Sequence, residues 1–319
     1  MGQPKGQLGK TMSNKNIKGT HFQGPLLGSD SARGGLYKDI PLSAVEAIRS
    51  PYQVHVEDFR NPIADGSLAA TGWTLLPIGA GTGATEVVDA ETGYLLLNPG
   101  SVDDGGFNIA YNAAPSGATT ASPGLDILGE IDCTATLMDA RELFMEMRVG
   151  FSTESATGVW QGKAMFGYLT DDQACMAPST GVPTLAAEGG TGFHIGEDGV
   201  IGVFSQTAAL TVAPTNVTGS NVLTDLAVVA AADTFVWYTL GFRTRWVDAS
   251  AGTGHTDFFV NGKKTNTIVG GLPMDGTGTY AATIEAINGP AGLEMDMAVD
   301  YIVSGITRPG LTYPYSGTW

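Results

Sequence analysis

Three acidic residues near the end of the sequence have a spacing that could support acid–base chemistry. Glu294, Asp296 and Asp300 alternate with apolar residues in the segment EMDMAVDYIVSGITRPG. Residues two apart in a β-strand lie on one face with Cα atoms roughly 6.6 Å apart, a separation that suits the paired carboxylates of glycoside hydrolysis. The same alternation is typical of the solvated side of a sheet, so the spacing alone leaves both interpretations open.

Short runs of acidic residues could also supply the hard oxygen ligands that Ca²⁺ prefers. The candidate ligands are Asp103, Asp104, Asp171, Asp172 and Asp198. These runs are equally turn sequences, in which Asp bonds its own backbone, so they are only weak calcium candidates. The four histidines lie far from cysteine and from one another in the sequence, which argues against a zinc site. No other cofactor is expected.

Any of these side chains must be positioned by strands, because the composition favours β-structure. The 319 residues are 43% hydrophobic and include 45 Gly and 16 Pro, which is typical of short strands joined by tight turns. From Gln53 onward, about twelve to fourteen strand-like segments follow one another, a number that fits two packed sheets. The sequence therefore predicts an all-β antiparallel sandwich.

The clearest strand is FVWYTLGFRTRW, from Phe235 to Trp246. Aromatic residues occupy both of its faces, which predicts a central strand that is largely buried at its start. The following TDFFVNGKKTNTI is predicted to be a hairpin, in which Asn261 and Gly262 adopt the positive φ angles of a type I′ turn. Tryptophans in or beside apolar strands are expected to pack in the core. They are Trp73, Trp160, Trp237 and Trp246.

The charge is divided unevenly along the chain. Residues 1 to 50 hold seven basic and three acidic side chains, whereas residues 51 to 319 hold nine basic and 29 acidic ones. The first segment is rich in Gly, Lys, Asn and Ser, which predicts a flexible basic arm with a short helix near residues 43 to 50. The strongly acidic body argues against nucleic-acid binding.

The cysteine content and the first residues bear on the compartment. Cys133 and Cys175 form no disulfide framework, which indicates free thiols and synthesis in a reducing cytoplasm. The polar start MGQPKGQLGK lacks the apolar core of a signal peptide. No apolar stretch is long enough to predict a membrane span.

The order of these features resembles the concanavalin A-like, laminin-G-like jelly rolls of bacteriophage virion proteins. EDFRNP resembles the opening strand, and GWTLL with TEVVDAETGYLLLNPGSVDDGGFNI resembles the hairpins that follow. RELFMEMRVGF, WYTLGFRTRW, DFFVNGKK and MAVDYIVSGITRPG resemble the later strands. The resemblance implies a jelly-roll β-sandwich over residues 51–310, after an extended N-terminal arm (1–50) and before an aromatic tail (311–319).

The resemblance also implies a non-enzymatic structural protein of the phage particle. Such a protein decorates and stabilises the capsid exterior as a cement protein, contacts the major capsid protein, and associates with further copies of itself, with a trimer as the natural arrangement. Jelly-roll glycoside hydrolases of the laminarinase type carry a third acid where this sequence has Ala298 and Val299, so catalysis by Glu294 and Asp296 is not expected. The alternative is a lectin-like, carbohydrate-binding module of a tail or host-adhesion protein.

The arm and the tail are the predicted partner-binding segments. Basic, polar arms commonly become ordered only on a partner, and exposed aromatic residues are typical of contact sites. The predicted partner-binding residues are Lys5, Lys10, Lys15, Lys18, Arg33, Lys38, Tyr313, Tyr315 and Trp319. Glu294, Asp296 and Asp300 are then expected to form a solvated or subunit-facing row. The alternating residues of the same segment are expected to face the core, and they are Met295, Met297, Val299 and Tyr301.

Overall fold

The part of the chain that the computed structural model describes contains sixteen β-strands. The described residues are 52–57, 73–78, 84–88, 94–111, 131–132, 142–153, 158, 160–170, 175–177, 183, 189–206, 214–217, 235–248, 253–270, 279–289 and 295–307. The strands are β1 (Tyr52–Glu57), β2 (Trp73–Ile78), β3 (Ala84–Val88), β4 (Tyr94–Asn98), β5 (Gly106–Tyr111), β6 (Ile131–Asp132), β7 (Glu142–Phe151), β8 (Lys163–Thr170), β9 (Gly190–Ile195), β10 (Ile201–Gln206), β11 (Thr215–Asn216), β12 (Val236–Asp248), β13 (Thr253–Val260), β14 (Lys263–Val269), β15 (Thr279–Ile287) and β16 (Met297–Thr307).

The strands form two antiparallel sheets of eight. Sheet A has the order β14-β13-β12-β7-β16-β4-β3, with β1 also paired to β16, and sheet B has the order β11-β10-β9-β8-β15-β5-β2, with β6 also paired to β15. The first and last strands are neighbours, since Tyr52 pairs with Thr307. The predicted all-β jelly-roll sandwich is confirmed, and every regular element in the described part of the chain is a strand.

The main core lies between the two sheets. In the strands whose side chains are described, alternate residues point inward, as the period of two requires, and they pack around large side chains such as Phe107, Phe151, Phe166 and Phe193. Trp160 is fully buried and packs against Phe151 with ring centroids 5.1 Å apart. The prediction that Trp160 and Trp246 pack in the core is confirmed.

The predicted central strand is confirmed, with one correction. β12 lies between β7 and β13, but its centre and not its start is the buried part: Phe235 to Tyr238 are half-buried, whereas Thr239 to Thr244 are buried. The hairpin is also confirmed, because Asn261 and Gly262 have φ angles of 50° and 75°. Asn261 fixes the turn further by accepting a hydrogen bond from the Thr239 amide at 2.9 Å.

The two sheets differ in what covers their outer faces. On sheet B, an outer apolar cluster that includes Met165, Leu169 and Phe204 is covered by the segment at Cys175 and Met176. Glu285, on the same face, accepts hydrogen bonds from both amides of this segment, at 2.7 and 2.9 Å. The outer face of sheet A instead carries charged and aromatic side chains, which are groups that can bind a ligand.

A β-bulge in β16 changes the expected facing of its residues. Val299 pairs with Val149 and Tyr301 pairs with the next residue, Arg148, so Asp300 is the extra residue. Tyr301 therefore lies on the outer face, and Ile302 takes its place in the core. The prediction that Tyr301 faces the core is wrong, because period two breaks down at a bulge. Asp296 is also buried and not part of a solvated row.

The predicted domain boundaries remain predictions. The arm (1–50), its short helix and the aromatic tail (311–319) lie outside the described residues. In the parts that are described, no helix has the length and hydrophobicity needed to cross a membrane. Cys175 is buried and not in a disulfide, and its sulfur accepts a hydrogen bond from Asn108 Nδ2 at 3.6 Å, whereas Cys133 lies outside the described residues.

Candidate functional site

Three aromatic side chains meet on the outer face of sheet A. Tyr94 of β4 makes edge contacts with Phe235 and Trp237, with ring centroids 5.7 and 5.8 Å apart. Phe235 and Trp237 are themselves 5.8 Å apart. All three are half-buried, so they keep apolar surface in contact with solvent. We call these three residues the ring cluster.

Small residues on the two central strands allow the ring cluster to form. Trp237 pairs with Gly150 of β7, Gly150 pairs with Ala298 of β16, and Ala298 pairs with Leu96 of β4. A Cβ atom at Gly150 would lie 2.8 Å from the Phe235 Cβ and 3.1 Å from the Trp237 Cδ2. The rings of Phe235, Trp237 and Tyr94 can therefore extend over the central strands and meet, because Gly150 has no side chain and Ala298 has only a methyl group.

A charged pair borders the ring cluster. The Arg148 guanidinium lies over the Trp237 ring, with its Cζ atom 4.8 Å from the ring centroid, a geometry in which the cation is attracted to the aromatic face. Arg148 Nη1 donates to Asp300 Oδ2 at 2.5 Å. The two side chains are 39% and 28% exposed, so both can reach a ligand held on the rings.

A buried carboxyl lies next to this pair. Glu146 is on the outer face of β7 but is only 2% exposed, and it accepts a hydrogen bond from the Tyr301 hydroxyl at 3.1 Å. Burial raises the pKa of Glu146 to about 7, although the Tyr301 hydrogen bond works in the opposite direction. Burial, followed by the charge of Glu146, also raises the pKa of the Tyr301 hydroxyl, so this group stays protonated.

A second group of charges continues along the same face. Glu142 of β7 bridges Arg243 and Arg245 of β12, with nitrogen–oxygen distances of 2.5 and 3.0 Å. On the neighbouring strands, Lys264 Nζ lies 2.6 Å from Asp257 Oδ1. These pairs place further cations on the face that holds Arg148.

This arrangement can bind a ligand better than it can transform one. Stacking surface, a guanidinium and a carboxylate lie side by side, which suits a molecule with an apolar face and a polar edge. Among the described carboxyl groups beside Arg148, Asp300 is accessible, whereas Glu146 is shielded. Paired catalytic carboxylates would both need to reach the substrate.

The calcium candidates have other roles where the structure describes them. Asp104 lies 2.7 Å and Glu197 lies 3.0 Å from the Nζ atom of Lys163, whose side chain is fully buried. Burial lowers the pKa of Lys163, but hydrogen bonds and charge from its two partners outweigh this effect and raise it. The ammonium therefore supplies the positive charge at this junction of loops.

The remaining metal candidates give no metal cluster. Asp198 accepts a hydrogen bond from the Val200 amide at 3.0 Å, as expected of a turn residue, and Asp103 is exposed. Asp171 and Asp172 lie outside the described residues. Within the described ranges, no three His, Cys, Asp or Glu side chains are grouped closely enough to hold a metal ion. Calcium binding stays a prediction.

The structure also separates the three acids of the closing segment. Asp296 is buried at the start of β16, Asp300 forms the ion pair with Arg148, and Glu294 lies outside the described residues. The predicted partner-binding residues of the arm and the tail lie outside them as well.

The ring cluster was missed by the sequence interpretation, which placed Trp237 in the core. A usable signal exists, because Trp237 shares its face of β12 with Thr239, Arg243 and Arg245, while the opposite face holds Leu240 and Phe242. A face with two arginines is more often an outer one. No local signal identifies Tyr94 as a partner, since it comes from a strand far away in the sequence.

No protein-family model and no curated protein matches the chain. Solved structures with a similar fold include the Ulex europaeus lectin UEA-II complexed with galactose, at 10% identity and a TM-score of 0.43, covering 79% of this chain and 98% of the lectin. The endo-1,3-β-glucanase from Streptomyces sioyaensis is 14% identical, with a TM-score of 0.45 and coverage of 82% and 99%. The carbohydrate esterase vb_24B_21 from the Shiga toxin-encoding bacteriophage phi24B is 16% identical, with a TM-score of 0.38 and coverage of 76% and 94%. These likenesses concern the fold, and no ligand or activity is transferred from them.

Proposed function

We propose that this chain is a non-enzymatic carbohydrate-binding module, which takes a glycan on the outer face of sheet A. The observation that carries the proposal is the ring cluster, joined above Gly150 and bordered by Arg148 and Asp300. The C–H face of a sugar ring packs on aromatic rings, and its hydroxyl edge needs charged hydrogen-bonding groups close by. Both parts are present within one small area.

The size of the apolar surface favours a glycan over a protein partner at this site. A specific protein interface buries about 800 Å² on each side and is centred on a large apolar patch. The exposed large hydrophobic residues in the described part of the chain are four valines, and none of them belongs to the ring cluster. A surface of three half-buried rings corresponds better to one or two sugar units.

The central test replaces Trp237 by alanine in the full chain. We expect Trp237→Ala to weaken glycan binding at least about tenfold, because the variant loses the largest stacking surface of the site. Binding is measured by calorimetric titration of polysaccharides that a glycan array identifies as ligands of the wild-type chain. Val269→Ala is the matched control, since Val269 is 80% exposed on the same sheet and lies outside the ring cluster.

Two results would contradict the proposal. One is wild-type affinity in the Trp237→Ala variant, and the other is the absence of any glycan ligand for the wild-type chain. The proposal also expects no release of sugar or acyl products during incubation with the bound glycan. Release of sugar or acyl products that is lost in Asp300→Asn would indicate that the protein is an enzyme and not a binding module.

A second candidate function is decoration of a phage capsid, and the division of charge along the chain favours it. Residues 1 to 50 carry a net charge of about +4 and the remaining residues about −20, from the side-chain counts and full ionisation at neutral pH. Such an arm is suited to the surface of an acidic partner, which we take to be the major capsid protein. Virion attachment through the arm and glycan binding by the body are compatible in one protein.

A further inference from the structure

We propose that the glycan is an acidic one and that Arg148 binds a carboxylate of the sugar held on the ring cluster. This inference rests on the proposed function and adds the chemical class of the ligand. It is carried by the placement of basic side chains in a body that has few of them.

Basic residues are concentrated on the face that holds the ring cluster. Residues 51 to 319 contain nine Lys and Arg against 29 Asp and Glu. Six of the nine are described by the structure, and four of these six lie on the outer face of sheet A, distributed over β7, β12 and β14. They are Arg148, Arg243, Arg245 and Lys264.

The carboxylates on this face do not outnumber the cations. Asp300, Glu142 and Asp257 are the partners of the four basic side chains, and Glu146 is a fourth, shielded carboxyl group on the same face, so the described charges of this face are close to balanced. The body as a whole is strongly acidic and repels a polyanion over about one Debye length. A carboxylated polysaccharide therefore meets less repulsion on this face than the net charge of the body implies, and Arg148 is the cation that lies against the ring cluster.

Arg148 has the geometry to recognise a carboxylate. Its guanidinium lies over the Trp237 ring, with Cζ 4.8 Å from the ring centroid, and the side chain is 39% exposed, so the substituents of a sugar stacked on the rings come close to the guanidinium nitrogens. A guanidinium carries five N–H donors in one plane, and the described bond to Asp300 engages Nη1. Paired N–H donors match the two oxygens of a carboxylate. A ligand carboxylate would compete with Asp300 for the same cation.

The test compares acidic polysaccharides with their neutral methyl esters. Polygalacturonate, alginate and hyaluronate are each titrated into the full chain beside the fully esterified form, which keeps the same sugar backbone. We expect at least one acidic form to bind more tightly than its ester, and Arg148→Gln to weaken that binding about tenfold through loss of charge-assisted hydrogen bonds. Asp300→Asn should strengthen it, because the competitor of the ligand loses its charge.

Lys263→Gln is the matched control, since Lys263 is exposed at the start of β14 and lies outside the ring cluster. Equal affinity for each acid and its ester would overturn the inference. Equally tight binding of dextran sulfate that does not change in Arg148→Gln would also overturn it, because it would indicate nonspecific attraction of polyanions. In either case, loss of binding in Trp237→Ala would still support the proposed function, whereas wild-type binding in that variant would reject the function itself.

Discussion

At the scale of single residues, the least ordinary group on the outer face of sheet A is the carboxyl of Glu146. It lies between Gly241 and Val303 of the neighbouring strands, where it is shielded from water and receives one hydrogen bond from Tyr301. A single neutral donor compensates only part of the cost of burying a charge. The folded protein therefore favours the protonated form of Glu146.

This preference predicts a pH-dependent stability. Burial raises the pKa of Glu146 from 4.5 to about 7. Below pH 4.5 the carboxyl is protonated in both the folded and the unfolded protein. As the pH rises from 4.5 through 7, the unfolded protein ionises more readily than the folded one, so the free energy of unfolding falls. The loss is at most about 3 kcal/mol of unfolding free energy. Glu146→Gln stays neutral and keeps an acceptor for Tyr301. Urea unfolding at pH 5 and pH 8 should show the variant gaining stability relative to wild type at the higher pH.

Glu285 provides the matched comparison for that experiment. Burial raises its pKa to about 7 as well, but its two oxygens accept from the amides of Cys175 and Met176 and from Asn108. In Glu285→Gln an amide group would face these donors, so we expect a loss of about 2 kcal/mol at pH 5 and a smaller loss at pH 8, where the wild type carries a buried charge at Glu285. If the Glu146→Gln variant kept the full wild-type pH dependence, the assignment of the buried charge to Glu146 would be wrong.

At the scale of elements, alternation and turn chemistry predicted most of the strands correctly. β4, β7, β10 and the hairpin of β13 and β14 lie where hydrophobic alternation and the Asn261-Gly262 turn place them. These elements are predictable because the period of two and the positive φ angle of a turn are local properties of the chain. The pairing of β7 with both β12 and β16 is not local, and the sequence did not reveal it.

The candidate site depends on features that have no local signature. The bulge at Asp300 is a one-residue irregularity inside an apolar strand, so a strict period of two places Tyr301 on the wrong face. The facing of Trp237 was ambiguous because both faces of β12 carry aromatic residues. Tyr94 and Trp237 are far apart in the sequence and come into contact only because of the order of the strands in sheet A. The sequence therefore predicts the sandwich and misses the surface on which we propose that the ligand binds.

The small residue at the centre of the site gives a prediction at this scale. Gly150→Val should abolish glycan binding while the protein remains folded, because the new side chain would occupy the space of the Phe235 and Trp237 rings. The Trp237 ring can turn toward solvent, but the Phe235 Cβ can move only with its backbone, so we expect about 1 to 3 kcal/mol of lost stability from overpacking. Titration with the glycan ligand and thermal unfolding measure the two effects. Retained binding in Gly150→Val would contradict the description of the ring cluster as the binding surface.

At the scale of the whole molecule, the residues proposed to attach the protein to a capsid and those proposed to bind the glycan lie in different parts of the chain. The basic residues of the arm precede the sandwich, and the cations of the proposed glycan site belong to β7, β12 and β14. Because these are different parts of the chain, each can be altered while the other is kept. The proposed capsid attachment and self-association can therefore be tested in the full-length protein.

Reversing the arm charges should remove the protein from particles. We expect the Lys5→Glu, Lys10→Glu, Lys15→Glu and Lys18→Glu variant to lose co-sedimentation with capsids, because its arm becomes acidic, while its glycan affinity stays at the wild-type value. The same four positions changed to arginine keep the charge and provide the control. Co-sedimentation of the glutamate variant at the wild-type level would contradict attachment through the arm. Light scattering of the same samples measures whether trimers form.

The bulge in β16 separates the charge of the site from the packing of the core. Asp300 is the extra residue and supplies the partner of Arg148, whereas Tyr301 lies beyond it on the outer face and contacts Glu146. Deleting Asp300 would place Tyr301 directly after Val299 in regular alternation, so Tyr301 would stay on the outer face and Ile302 would stay in the core. The ion pair of Arg148 can therefore be removed or introduced as a single inserted residue, and neither change requires the core to repack.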